Sequence, residues 1–339
     1  MPCGFDRLGT VDQAAGTYGV GWKCKTCKFQ GLDVCPIGPL VPSPGNCLNC
    51  GGAFTANSDT CPACGLAESE LLELIAAASP HDDFCKLAND CFHQGLYRLG
   101  VAALNYALRE EPGQLDVWIF KGEALDALGF HNSKLAMFQD ALAAGAPIDL
   151  AVNLGNELYT QKRYVDAAVA QQKYLDAEPD GAHAALAEYN LANAYFRLND
   201  HEGAEKLYRS ALAREPQRKA FSYMLAYLLD SLGRQDEALA VLDEALQTPN
   251  PDDRFTARLY EERAFIHAER QDGQNSLLDV TRAMGFGIDT VEVHYLRGRA
   301  LALLGRLPEA REEMLYVIER QPDHPDAQRA LKLIGQVLG

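Results

Sequence analysis

No apolar run in this 339-residue chain approaches the ~18 uncharged residues that a membrane-crossing helix needs, so no span is expected. Its first residues, MPCGFDRLGTVDQAAGTYG, hold no basic patch followed by an apolar stretch, which argues against a secretory signal. Positive charge is scarce. There are 31 Lys and Arg against 47 Asp and Glu, for a formal net charge of −16, which disfavours duplex nucleic acid or an anionic membrane surface as main partner. The catalytic signatures are missing too. No Gly-rich phosphate loop, Gly-x-Ser-x-Gly elbow or paired-carboxylate cleft is present, and the eight histidines form no His-x-x-x-His pair. No enzyme is expected.

Cysteine, by contrast, is plentiful and clustered. Eight of the ten lie within residues 1–64, a region whose four acids and four bases balance, so the acidic excess sits further along the chain. Three Cys-x-x-Cys pairs without an export signal point to metal ligands in a reducing compartment rather than disulfides, and the protein is expected in the cytoplasm. Cys47-Leu-Asn-Cys50-Gly51-Gly52 is followed, with ten residues intervening after Cys50, by Cys61-Pro-Ala-Cys64-Gly65. Zinc takes four thiolates at tetrahedral corners, and a Cys-x-x-Cys turn supplies two from one tight loop. Glycine after the second cysteine of each pair permits the positive torsion of such a turn. The arrangement resembles a zinc ribbon or knuckle over 47–65, with one structural Zn2+ on Cys47, Cys50, Cys61 and Cys64. The third pair leaves two assignments open. Cys24 and Cys27 could join Cys3 and Cys35 in a second zinc site, or could share a zinc with Cys47 and Cys50, leaving Cys61 and Cys64 to find Cys35 and another ligand.

Around these cysteines, residues 1–46 form a Gly- and Pro-rich segment containing Cys24, Cys27 and Cys35. Four prolines in CPIGPLVPSPGN (35–46) require extended or turn-like chain there. Residues 66–80 carry a linker helix with Leu71, Leu72, Leu74 and Ile75 apolar.

Beyond residue 80 one pattern repeats. Ala185–Pro216 contains two short amphipathic helices broken at Asn199-Asp200. Leu191, Ala192, Tyr195 and Leu198 recur at helical spacing in the first helix; Ala204, Leu207, Tyr208, Ala211 and Leu212 do so in the second. Ala192, Ala204 and Ala211 allow the helices to approach closely. Such a hairpin cannot bury both faces alone and needs neighbours of its own kind.

Leu191-Ala192, Tyr195, Ala204, Tyr208, Ala211 and Pro216 resemble the tetratricopeptide repeat, a 34-residue helix–turn–helix; Glu188 departs from it, standing where the family prefers a bulky residue. Seven units follow over 81–322, starting near His81, Leu115, Ile148, Ala185, Lys219, Ala257 and Val291, at steps of 33 to 38 residues. The second has Lys134 at the small contact position, and the ends of the sixth are blurred by Gly273 and MGFG (284–287). Residues 323–339 supply a closing helix. The resemblance implies an all-α solenoid, a right-handed superhelix of helical hairpins, preceded by the small zinc module.

In that family the first helices line the concave face, with positions 2, 5, 6, 9, 12 and 13 meeting ligands. Those positions include Asn153 and Asn156 in the third unit and Asn190 and Asn193 in the fourth, each pair three residues apart on one face. Amides can hydrogen-bond an extended peptide backbone whatever its sequence; the plainer alternative is a solvated amide, or one bonded to a neighbouring turn. Tyr189, Tyr223, Tyr227, Phe265 and Tyr295 fall on the same positions, with Arg197 and Arg299 available for carboxylates. A clamp for a C-terminal carboxylate is disfavoured, because Cys85, Leu186 and Asn190 stand where it needs Lys or Arg. The expected function is therefore a non-enzymatic adaptor or scaffold that binds a peptide or protein segment in the groove. The alternative is a redox- or zinc-responsive switch in which the Cys-rich region gates it. Partner and oligomeric state are not written in the sequence.

Overall fold

The computed structural model describes residues 5–7, 22–24, 84–93, 97–127, 131–247 and 253–338. The Cys47, Cys50, Cys61, Cys64 set, together with Cys3, Cys27, Cys35 and the 66–80 linker helix, lies outside them. Of Cys24 only the backbone is described. Near the N-terminus, β1 (Phe5–Arg7) pairs antiparallel with β2 (Trp22–Cys24), setting Phe5 opposite Cys24. Sequence pattern does not foresee this pair, because three residues are too few for a period of two to show.

Two compact units follow, divided between His183 and Ala184. The first contains α1 (Phe84–His93), α2 (Tyr97–Glu110), α3 (Leu115–Ala127), α4 (His131–Ala143), α5 (Leu150–Thr160) and α6 (Tyr164–Ala177). They pair as three hairpins whose interior holds Leu104, Leu108, Trp118, Phe138 and Tyr174, all 2% exposed or less. The Trp118 indole reaches the Pro112 carbonyl at 2.9 Å, which satisfies its one donor. Lys134, at the position where a small residue was expected, turns its ammonium to Asp126 at 2.5 Å and Glu157 at 2.8 Å. Burial works against that charge, but the two carboxylates prevail and hold the pKa above its ordinary value.

The second unit contains α7 (Ala184–Arg197), α8 (His201–Arg214), α9 (Lys219–Ser231), α10 (Gln235–Gln247), α11 (Asp253–Glu269), α12 (Gly273–Gly285), α13 (Val291–Leu303), α14 (Leu307–Arg320) and α15 (Pro325–Leu338). Alanines 192, 204, 211, 226, 238, 264, 283, 300 and 310 are wholly buried where the paired helices meet. Small side chains at these crossings let the helices pack at close distance. Leu198, read from the sequence as part of the apolar stripe, is 41% exposed because the helix ends one residue before it. Glu188, the departure from the repeat pattern, is buried against α8, where the Ser210 hydroxyl (2.9 Å) and the Arg214 guanidinium (3.2 Å) donate to it. Among the described residues no helix is long and apolar enough to cross a membrane.

Five hairpins turn in the same way. After α5, α7, α9, α11 and α13 one residue takes a left-handed conformation: Lys162, Asn199, Gly233, Gln271 and Gly305, with φ between 61° and 75°. The next amide returns to a carbonyl five residues back, as from Asp200 to Tyr195 and from Arg234 to Leu229, each at 2.9 Å. This closure satisfies carbonyls that a helix end otherwise leaves open. Asp200 and Asp272 then cap the following helices by accepting from Gly203 and Asn275 at 3.0 and 3.1 Å. Glycine bears the left-handed conformation without a Cβ clash, whereas lysine and glutamine do not. Gly233→Ala is therefore expected to lower stability by about 1 kcal/mol, and Lys162→Gly or Gln271→Gly to raise it by ~0.5 kcal/mol. Urea unfolding would measure both, and a neutral Gly233→Ala would show that the turn is unstrained.

Candidate functional site

The first helices of the second unit's hairpins, α7, α9, α11 and α13, each bury one stripe and leave another uncovered. On α9 the buried stripe is Phe221, Ser222, Leu225, Ala226, Leu228 and Leu229. The opposite stripe runs through half-buried Tyr223, exposed Tyr227 and half-buried Asp230, spaced four and three residues apart as one helix face requires. The rings of Tyr223 and Tyr227 lie 6.4 Å apart and nearly parallel, and Tyr227 is 42% exposed. On α11, which packs beside α9, Arg258, Glu261, Glu262 and Phe265 form the corresponding stripe, with Phe265 38% exposed. Large rings left open at these positions are not used by the core.

Between the two stripes sits an electrostatic conflict. Glu262 is only 9% exposed, yet it has no hydrogen bond or ion pair among the described residues. Burial, then the charges of Asp230 and Glu261, push its pKa up to about 7. Arg258, the nearby base, is committed to Glu261 at 2.6 Å. Tyr223 is pushed up to about 12 by burial and by Glu262 and Glu261, so its hydroxyl keeps its proton and remains a donor.

The α7 residues fall into two groups. Tyr189 stacks on Phe221 at 4.7 Å and lies 5.9 Å from Tyr208, a packing position shared with the core. Asn193 accepts from the Tyr208 hydroxyl at 2.6 Å across its own hairpin. Asn190 is different: its amide nitrogen is buried without a hydrogen-bond partner among the described residues. Arg197 is exposed at the end of the helix. On α13, Tyr295 packs near His324 at 4.8 Å, and Arg299 is tied to Glu269 (2.6 Å) and to the Ala268 carbonyl (3.3 Å). In the first unit, Asn153 is half-buried, while Asn156 is exposed and accepts from Gln171 at 3.3 Å. Asn156 and Asn193 thus occupy the same place in their hairpins, each bonded to a residue 15 further on.

Models of the tetratricopeptide repeat match residues 189–254 and 291–314. These stretches are tetratricopeptide repeats. No curated protein matches the chain. Among solved structures, a tetratricopeptide repeat protein from Parabacteroides merdae is 17% identical, with a TM-score of 0.51 over 75% of this chain and 98% of that one. The Cut9–Hcn1 hetero-tetramer component of the APC/C is 12% identical with a TM-score of 0.55, covering 78% of this chain and 48% of that one. PilF of Pseudomonas aeruginosa is 16% identical, TM-score 0.50, over 66% and 96%. At such identities the likeness is one of fold.

On the first helices of the second unit, the site positions that sequence reasoning passed over are Asp230, Glu261 and Glu262. The signal was available, since Glu261-Glu262 occupies positions 5 and 6 of the sixth unit, but two adjacent acids on a helix read as a solvated face. Only the packing of α9 against α11 reveals that one of them is buried. Among the described residues no cluster of His, Cys, Asp and Glu could hold a metal ion. Cys91 is 5% exposed, and burial, then Asp90, pushes its thiol up, away from the reactive thiolate.

Proposed function

We propose that the protein is a non-catalytic interaction scaffold and that the first-helix face of its second unit binds an extended peptide or protein segment. The observation that carries this reading is the pair of open rings, Tyr227 and Phe265, on neighbouring first helices of tetratricopeptide hairpins. Exposed aromatic side chains outside the core are the usual anchors of a recognition surface. Asn190 adds a buried amide donor with no acceptor, a group whose desolvation a peptide carbonyl could offset after a small rotation. The wider contact set on the second unit comprises Tyr189, Asn190, Asn193, Arg197, Tyr223, Tyr227, Tyr295 and Arg299; the first unit, taken by itself, carries Asn153 and Asn156 at the equivalent positions of its own hairpin.

A random peptide library displayed against the full chain tests this. Peptides selected by the wild type are expected to bind Tyr227→Ala/Phe265→Ala at least tenfold more weakly, with helical circular dichroism unchanged. Undiminished binding by that double variant would remove the face from consideration. For the N-terminal cysteines, we propose one structural zinc on Cys47, Cys50, Cys61 and Cys64. Metal analysis of reduced protein is expected to return at least one zinc per chain, lost on replacing Cys61 and Cys64 by serine. A metal-free preparation would dismiss the site.

A further inference from the structure

The uncovered face of α9 and α11 is not uniformly aromatic: its centre is acidic, and that acidity is unbalanced. Asp230 projects from α9, with Gln235 as its hydrogen-bonding neighbour at 3.1 Å. Glu261 is neutralised by Arg258 on its own helix. Glu262 has neither donor nor base among the described residues, although nine-tenths of its surface is buried. A carboxylate withdrawn from water without a counter-charge is costly, and proteins normally pair or bond such a group. Among the described residues no pairing partner stands there, and the charges that do bear on Glu262, Asp230 and Glu261, are of its own sign. Among the described residues these carboxylates are not part of a group that could hold a metal ion.

Rings flank this centre. Tyr223 and Tyr227 stand on α9 and Phe265, three residues after Glu262, on the neighbouring α11. Aromatic faces attract a cation through their quadrupole, and they also cover the apolar stem of a long basic side chain. A lysine or arginine placed among these groups would meet opposite charge at its head and ring surface along its stem. A carboxylate or phosphate would meet like charge.

We infer that this face recognises a lysine or arginine side chain within the bound segment, seated between Tyr227 and Phe265 with its charge on Glu262 and Asp230. The inference rests on the scaffold reading above and specifies its ligand. Glu262 supplies the buried counter-charge, and Asp230 the second carboxylate from the neighbouring helix. Tyr223, kept neutral, can donate to either carboxylate or hold the segment's backbone. Binding of this kind weakens as salt rises, because part of the attraction is between charges at a partly open surface.

The test uses the full chain and synthetic capped decapeptides of random flanking sequence carrying lysine, arginine, norleucine or glutamate at a fixed central position. Lysine and arginine peptides are expected to be enriched at least tenfold over norleucine, with glutamate depleted. Asp230→Asn/Glu262→Gln should abolish that preference. Glu312→Gln/Glu319→Gln, which removes the same formal charge from exposed positions of α14, should preserve it. If wild type selects peptides through Tyr227 and Phe265 but treats lysine and norleucine alike, the scaffold reading stands and the cation site falls. A basic preference that survives in Asp230→Asn/Glu262→Gln places the recognition elsewhere and also overturns it. Should replacing Lys23, Lys25 and Lys28 by alanine raise peptide affinity tenfold, the basic segment of this same chain is the occupant, and the external partner is overturned. No selection of any peptide would remove both readings.

Discussion

Replacing Asp279 with alanine is expected to lower the stability of the second unit by about 3 kcal/mol. Asp279 lies on α12 with its carboxylate 2% exposed, and accepts two hydrogen bonds from Arg263 of α11 at 2.7 Å each. Those bonds hold the guanidinium charged against its own burial. His267 (3.9 Å) and Arg282 (3.8 Å) stand further off. Removing the carboxylate leaves a largely buried guanidinium with only the Asp243 carboxylate, whose side chain is 55% exposed. Loss of that outer partner in Asp243→Ala should cost below about 1 kcal/mol, as an exposed ion pair does. Urea unfolding of both variants separates the cases. Equal and small losses would mean that Arg263 finds water or another acceptor when Asp279 is gone.

Glu262→Gln is expected to act in the opposite direction and only above acid pH. The folded chain keeps this carboxyl protonated up to about pH 7, whereas an unfolded glutamate releases its proton near the ordinary value of 4.5. Between those two points the folded state binds more protons than the unfolded one, so Glu262 makes stability fall as pH rises through the window. Below about pH 4 the carboxyl is protonated in both states and the penalty vanishes. Asp230 from α9 and Glu261 from α11 are the charged groups that bear on it, and Tyr223 from α9 is the titratable group it acts on in turn. At pH 8 the glutamine variant should be more stable than wild type by on the order of 2–3 kcal/mol, and at pH 4 by nearly nothing. Other carboxylates behave in the reverse sense: Glu205 is held down by the Arg234 hydrogen bond, and its stabilisation is lost as pH falls. The difference between variant and wild type isolates Glu262. A pH-independent difference would show that its proton is not what the fold retains.

Both effects depend on residues that a linear reading passes over. Arg263 and Asp279 are 16 apart, and nothing in either helix alone marks them as partners. Asn193 was legible as a face residue, but not its bond to Tyr208, which arises only when α7 folds against α8. The turns divide in the same way. Gly233 and Gly305 announce a left-handed residue, while Lys162 and Gln271 adopt the same conformation with no local signal, because the packing of the flanking helices imposes it.

By itself, the sequence determined the helical hairpin, its repeat and its small-residue contacts. These are set by periodicity, and periodicity is local information. Spacing alone marks the alanines at 192, 204 and 211 as helix contacts, and all three are wholly buried. The tertiary structure alone decided which polar groups are used up by the fold and which remain. Asn193 and Arg299 have partners inside the molecule, whereas Glu262 is buried beside its like with no partner among the described residues. A charge becomes costly only once neighbouring helices exclude water from it, and that depends on residues 30 or more positions away, such as Asp230 and Tyr223.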